Sequence, residues 1–438
     1  MRWFHWLALG ILAVVLFAVA EIAFYPDRLN RDIDARVAAI RASGAPISTS
    51  DLVKSIPNDR NAAILYLKSY KLLSDKNIDK QIREASDELS SGNGTVKSAA
   101  LVRRYDSAVW IAEQASRLPE CSYPIDWSKG PLNTEVLYYK PARSLVRLLA
   151  LRSAFDVKNG DADDSIRSLS LAFKVADSLK SEPALIGFLV DTSSIWVTSA
   201  ELKDSLKHST IHEDRAKELY DLLDKIEPYE GYRTCLLGER AQGIQVEEEI
   251  RYLGMQNAGA TDKQLKSLKH NSVRSRSPGA MLMGVRACRD ERCYLDEMQR
   301  QIDLSSIPYR LVRARHLDRE PKFGNYDLMA SLLVPSYGKA IVRRDETVAE
   351  IDGDKILLAL TAYKDRCNSY PASLDELHKK LGWAIPNDIF SGEDYRYRRV
   401  GKGFLLYSIG PNLKDDGGMD VKSKDLYRKG DMVWRWDR

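Results

Sequence analysis

The first clear pattern in the chain is at the N-terminus, where residues 3–25 are almost continuously apolar apart from one histidine and one glutamate. About 20 such residues suffice to cross a bilayer as a helix. Arg2 precedes the run and mixed charges follow it, so we expect the bulk of the chain outside the cytoplasm. Residues 1–26 are therefore predicted to be a transmembrane anchor in a bacterial cell membrane. A cleaved signal peptide is the alternative, because Ala18-Val19-Ala20 fits a cleavage site.

After this segment, apolar residues recur mostly at helical spacing, which predicts a large irregular helical domain over residues 27–340. Helices are expected at 28–41, from Asn61, at about 99–118, through much of 141–206, and from a capping Thr210. Near 141–206 the turn Asn159-Gly160-Asp161 separates two helices into a tetratricopeptide-like antiparallel hairpin. No 34-residue period recurs, so a single helical domain is preferred to a repeat array.

The pattern changes in the last hundred residues or so, and it predicts a small α+β module over residues 341–438. A helix is expected at 348–366, and a short second one follows Ser373, with Glu376 at the capping-box position. Alternating residues then predict three strands, at 395–398, 404–409 and 431–436. The expected fold is mainly α, with one helix packed on a three-stranded antiparallel sheet at the C-terminal end.

The motifs in this tail resemble a known family. They are Tyr370-Pro371-Ala372-Ser373-Leu374, Pro386-Asn387-Asp388-Ile389-Phe390-Ser391-Gly392, and the segment from Tyr407-Ser408-Ile409-Gly410-Pro411-Asn412 to Gly417-Gly418. Residues 345–436 resemble the globular part of the type II secretion major pseudopilins. The chain also looks like uncharacterised bacterial membrane-anchored proteins that share this tail.

The resemblance implies a calcium site in the acidic, glycine-rich loop before the last strand. Asp415, Asp416 and Asp420 occupy that loop here, and calcium prefers several hard oxygen ligands of this kind. The chain departs from the family in two respects. Its hydrophobic segment is far from the module, and it has no Gly-Phe-type processing site with an early glutamate. We therefore do not expect assembly into a pilus-like fibre.

Composition limits the classes of function. The 66 basic and 62 acidic residues give a net charge of only +4, so charge does not indicate nucleic acid as a partner. There are five cysteines, too few for a disulfide framework. Cys288 and Cys293 are the only close pair. They could bridge if a turn lies between them, and otherwise they are two free thiols.

Candidate catalytic residues are few. His208 and His212 are four residues apart, but Ser209 and Thr210 between them indicate a helix start, which argues against a shared metal. The run Glu247-Glu248-Glu249 is typical of a solvated face. No nucleophile elbow, phosphate loop or dinucleotide fingerprint occurs. We expect a binding or structural protein with a possible envelope protein partner. The alternatives are an extracytoplasmic hydrolase that uses carboxylates in a cleft of the helical domain, and an accessory component of a secretion apparatus.

Overall fold

The computed structural model describes residues 28–52, 55–92, 94–125, 136–257, 278–319, 321–324, 328–421 and 426–436. The predicted membrane segment at 1–26 lies outside the described residues. None of the helices that are described is both long and apolar enough to cross a membrane.

The described chain is mainly helical with one small antiparallel sheet, as the pattern of apolar residues predicts. The helices of the N-terminal half are α1 (residues 28–42), α2 (Ala62–Leu72), α3 (Ile78–Ser90), α4 (Val96–Arg104), α5 (Asp106–Ala115), α6 (Tyr139–Lys158), α7 (Ala162–Asp177) and α8 (Leu185–His208). A short 3-10 helix, Thr49–Leu52, follows α1. The remaining helices are α9 (Glu213–Leu223), α10 (Pro228–Asn257), α11 (Pro278–Leu304), α12 (Tyr309–Ala314), α13 (Leu328–Cys367) and α14 (Leu374–Leu381). The strands are β1 (Arg396–Val400), β2 (Gly403–Ser408) and β3 (Met432–Trp436).

Several local signals act as the sequence predicts. The side chain of Asn61 caps α2 by accepting a hydrogen bond from the Ala63 N–H. Gly160 has φ +82°, so it provides the left-handed residue that ends α6, and the Asp161 carboxylate then caps α7. Ser373 accepts from the Glu376 N–H at the start of α14. These caps satisfy backbone groups that the helix ends would otherwise leave without partners.

Three predicted boundaries are wrong. The helix expected at 99–118 is two helices, α4 and α5, which meet at the buried Tyr105. Thr210 does not cap α9, because His212 occupies the N-cap position and makes no side-chain cap bond. The helix expected from 348 starts twenty residues earlier, as α13. The predicted boundary between residues 340 and 341 therefore lies within a continuous helix.

The sheet has the order β1-β2-β3, with both pairs antiparallel. Its central strand β2 is the most buried, and Phe404, Leu405 and Leu406 have no exposed surface. The sheet packs against α13 through β2 and β3. Asp388, from the Pro-Asn-Asp-Ile-Phe motif, accepts hydrogen bonds from Ser408 Oγ and the Phe390 N–H at 2.7 and 3.0 Å. This buried carboxylate joins the motif to the end of β2.

The C-terminal module and the helical body share one hydrophobic core. Buried residues of α7, α8 and α9 pack in the same cluster as residues of α13, α14 and the sheet, among them Phe173, Leu219 and Phe404. A second cluster joins α2 to α8 in the N-terminal half. Burial of apolar surface is the main favourable term in folding, so the module is stabilised by its contact with the body.

Cys288 and Cys293 both lie within the continuous helix α11, and no disulfide joins them. A bridge between them would need a turn, because residues five apart on a helix point in different directions. Of the two alternatives that the sequence leaves open, the structure has the one without a bridge, and the Cys288 thiol donates a hydrogen bond to Asn30 Oδ1.

Candidate functional site: a groove between three helices

A groove of about 1020 Å³ opens between α3 and α8. Helix α6 packs against both of them, so it forms the floor. The lining residues from α3 are Asp79, Ile82, Arg83, Ser86, Leu89 and Ser90; from α6 they are Arg147, Ala150, Leu151, Ala154, Val157 and Lys158; from α8 they are Val197, Glu201, Asp204, Ser205 and His208. Ligand pockets typically have volumes of about 300–1,000 Å³, so this groove is large enough for a small-molecule ligand.

The lining of the groove combines apolar and polar side chains. Ile82 and Leu89 of α3 and Leu151 of α6 are almost fully buried, so they expose little surface to the groove. Ala154 and Val197 are partly buried and complete the walls. These residues point inward because α3, α6 and α8 each bury one face against their neighbours.

The rim of the groove carries charge. Arg147 contacts Asp79 at 3.2 Å, and Ser144 Oγ donates to the same carboxylate at 2.9 Å, so this pair is held between α6 and α3. Arg83 and Lys158 are exposed, and neither forms an ion pair with any residue in the described ranges. The rim therefore has two basic side chains that the rest of the described protein leaves uncompensated.

Glu201 is the acidic residue on the wall from α8, and it is partly buried. Its Oε1 accepts a hydrogen bond from Ser205 Oγ at 3.1 Å. The pKa of Glu201 is raised to about 8, mainly by burial; the Ser205 hydrogen bond lowers it and the nearby charge of Asp204 raises it, and both effects are smaller than that of burial. At neutral pH the side chain is mostly protonated, so it can donate a hydrogen bond into the groove.

A buried hydroxyl cluster holds Glu201 in place from behind. Ser153 Oγ lies 2.8 Å from Ser165 Oγ and 3.1 Å from Ser205 Oγ, which joins α6, α7 and α8. All three serines have at most 1% of their surface exposed. Because Ser205 is enclosed and bonded to Glu201, it is poorly placed to attack a substrate. The groove is better suited to binding than to nucleophilic catalysis.

The residues predicted to bind calcium lie in the loop between β2 and β3. Asp415 Oδ1 accepts from the Gly417 N–H and Tyr407 Oη, and its other oxygen is 3.5 Å from Arg396. Asp416 Oδ2 accepts from Asn412 Nδ2 at 2.8 Å and from the Gly430 N–H at 2.6 Å. Asp420 is exposed at the end of the loop.

Asp431 organises this loop, and the sequence prediction missed it. Its buried carboxylate accepts hydrogen bonds from the N–H groups of Asp416, Gly418 and Met419 at 3.2, 2.7 and 3.1 Å. Successive N–H groups that converge in a turn form an anion-binding concavity, and here the anion is supplied by the chain itself. Within the described part of the chain, no group of three or more His, Cys, Asp or Glu residues is placed to hold a metal ion. The calcium site stays a prediction.

The other candidate residues are separated. His208 ends α8, where its Nδ1 lies 2.9 Å from the Asp204 carbonyl oxygen, while His212 is the residue before α9. The glutamate run is not a uniformly solvated face, because Glu247 is only 1% exposed while Glu248 is exposed. Neither glutamate lines the groove.

Comparisons with protein-family models, with curated proteins and with solved structures found no match to this chain. Nothing in them bears on the pseudopilin resemblance.

The groove residues could not be predicted from the sequence. Arg83, Lys158 and Glu201 are each unremarkable within their own helices, and more than a hundred positions separate the first from the last. Only the packing of α6 between α3 and α8 brings them to one surface. The sequence does predict the α6–α7 hairpin, and this prediction locates one of the three helices that form the groove.

Proposed function

We propose that the chain is a single-pass protein of the bacterial envelope whose helical body binds a ligand outside the cytoplasm, in the groove between α3, α6 and α8. The observation that supports binding is the groove itself, with its mixed apolar and polar lining and its uncompensated basic rim. A concave surface of this size that presents both apolar and charged side chains can hold a ligand that has groups of both kinds. The compartment is inferred from the apolar N-terminal segment.

Ligand retention tests the binding proposal. The full chain is purified from membranes, and bound small molecules are identified by native mass spectrometry. Ala154→Trp places an indole in the groove, whereas Ala200→Trp places one on an exposed position of α8 outside it. A ligand that is present in wild type and in Ala200→Trp, and lost in Ala154→Trp with its fold intact, supports the proposal. Equal retention in both variants would place the ligand elsewhere.

The topology needs its own test. Reporter fusions at the C-terminus should be active for a periplasmic reporter and silent for a cytoplasmic one. The opposite pattern would place the helical body in the cytoplasm and contradict the envelope assignment, while leaving the groove as a binding site.

A hydrolase is the second candidate, and one observation favours it. Glu201 carries a proton at neutral pH and lies near the exposed Asp204 in the same groove, and a protonated acid beside a second carboxylate is an arrangement used in acid–base catalysis. If the bound ligand is turned over, Glu201→Gln should abolish turnover and retain binding. If the ligand is recovered unchanged, the binding assignment stands. The role in a secretion apparatus rests on the tail resemblance and stays a prediction.

A further inference from the structure

The rim of the groove has an excess of positive charge. Arg147 is compensated by Asp79, but Arg83 and Lys158 have no ion-pair partner in the described chain. Asp204 is the remaining acidic residue on the rim apart from Glu201, and it lies 3.6 Å from the His208 ring. Uncompensated basic side chains around a concave surface attract anions and orient them.

Glu201 would reduce this excess if it were ionised. It lies on α8 beside Asp204 and His208, and the charged groups that line the groove opposite it are Asp79 and Arg83 of α3 and Arg147 and Lys158 of α6. Burial keeps the carboxyl group mostly protonated at neutral pH. A neutral carboxyl group does not repel an anion and can donate a hydrogen bond to it.

The interior of the groove specifies the other half of the ligand. Ala154, Val157 and Val197 are only partly buried and offer aliphatic surface. Among the residues that the structure describes, no Phe, Tyr or Trp lines the groove for stacking on a sugar or a base. The volume of about 1020 Å³ exceeds what a small inorganic anion needs. Burial of an apolar chain against such walls is favourable in proportion to the area removed from water.

We infer that the groove binds an amphipathic anion, with its apolar chain against the aliphatic walls and its charged head at the basic rim formed by Arg83 and Lys158. This inference rests on the proposed function and names the ligand class. Glu201 faces the ligand as a neutral hydrogen-bond donor, and its ionisation opposes binding.

The test uses the full chain in nanodiscs of zwitterionic lipid, titrated with dodecanoate below its micelle concentration. Dodecyl maltoside has the same chain with an uncharged head, and acetate has the head without the chain. In Ala154→Trp the groove is filled, so the signal of this variant reports only the partition of the probe into the nanodisc. Binding to the groove is the part of the wild-type signal that is lost in Ala154→Trp and retained in Ala200→Trp. We expect dodecanoate to bind, dodecyl maltoside to bind more weakly, and acetate not to bind measurably.

Paired variants test the rim. R83Q/K158Q should weaken dodecanoate binding by roughly tenfold or more, since a hydrogen bond to a charged group contributes about 1.5–3 kcal/mol. The control K140Q/R143Q removes two exposed basic residues of α6 that do not line the groove, and it should bind as wild type does. Wild-type affinity in R83Q/K158Q would overturn the inference.

The pH arm tests Glu201. Wild-type affinity for dodecanoate should fall as pH rises through about 8, and Glu201→Gln should remove that fall. A fall of the same size in the variant would overturn the role of Glu201.

The outcomes separate this inference from the proposed function. If dodecanoate and dodecyl maltoside bind equally and Ala154→Trp abolishes the binding of both, the groove does not select an anionic head group, but it is still a ligand site. If Ala154→Trp changes neither titration and retains the native ligand, the proposed function fails as well.

Discussion

The indole of Trp434 lies directly against the backbone of Gly353. A Cβ added at Gly353 would stand 2.1 Å from Cζ2 of the ring, so the indole of β3 occupies the space that a side chain at this position of α13 would need. Trp434 is 2% exposed, and Tyr395 packs edge-on against its ring at 6.1 Å between centroids. This contact fixes the sheet on the long helix.

Gly353→Ala should therefore destabilise the protein. The new methyl group must displace a buried indole, and overpacking of this kind costs about 1–3 kcal/mol or more. The free energy of unfolding from urea titration measures the effect. Gly338→Ala is the matched control on the same helix, because nothing lies within 4 Å of its added Cβ. Alanine is the better helix former by up to about 1 kcal/mol, so the control should be neutral or stabilising. Equal effects of the two substitutions would contradict the close contact.

The sequence predicted the elements of this module better than their assembly. The alternation of residues within 395–398, 404–409 and 431–436 predicts the three strands. Ser373 together with Glu376 predicts the start of α14. The start of α13 was missed, since Pro335 and Gly338 within residues 328–347 are helix-disfavouring residues that the fold overrides. The break between α4 and α5 at Tyr105 was also missed, because no glycine or proline lies there to indicate it. The shared core and the groove depend on contacts between distant helices, which periodicity along the chain does not encode.

Asp354 should make the protein less stable as pH rises. It is fully buried next to Glu350, and neither of its carboxylate oxygens has a hydrogen-bond partner in the described chain. Burial raises the pKa of Asp354 well above its usual value, Glu350 adds to this, and Lys203 opposes it. The folded state thus binds a proton that the unfolded state releases above about pH 4, so stability falls with rising pH above that point.

The substitution Asp354→Asn should remove this dependence. The variant should be more stable than wild type at neutral pH, and the difference should shrink toward pH 4, as urea unfolding across that range would show. Asp365→Asn, at an exposed position of the same helix, should change stability by less than about 0.5 kcal/mol. A variant less stable than wild type at neutral pH would mean that Asp354 is ionised and paired.

Lys203 is expected to be the cation that stabilises the buried acidic pair Glu350 and Asp354. It donates a hydrogen bond to Glu350 and lies 5.5 Å from the centroid of the Trp434 ring. Lys203→Met leaves two buried acids without a cation and should cost up to about 3 kcal/mol, a figure reduced because the side chain is 26% exposed. Adding Glu350→Gln to Lys203→Met should recover most of the loss. Lys207→Met, at an exposed position of α8, is the control.

Asp431→Ala should loosen the loop between β2 and β3. The substitution leaves three backbone N–H groups without their acceptor, and we expect a loss of about 1–3 kcal/mol together with faster proteolysis within residues 410–420. Asp420→Ala is the control, since the exposed side chain of Asp420 has no hydrogen bond among those the structure describes. If both variants are cleaved at the wild-type rate, the Asp431 carboxylate does not order the loop.

The pseudopilin resemblance predicts that calcium binds the same loop. The hydrogen bonds that the loop makes without calcium determine how much calcium binding can stabilise the protein. Asp415 and Asp416 already accept bonds from protein donors, so calcium has to replace some of these bonds and the gain in stability should be modest. Millimolar calcium should raise the melting temperature of the full chain, and the same concentration of magnesium should raise it less, because magnesium demands near-octahedral geometry. Asp420→Asn should abolish the calcium shift without changing stability in the absence of calcium. A melting temperature that calcium leaves unchanged would remove Asp415, Asp416 and Asp420 as a calcium site, while the order that Asp431 gives the loop would stand.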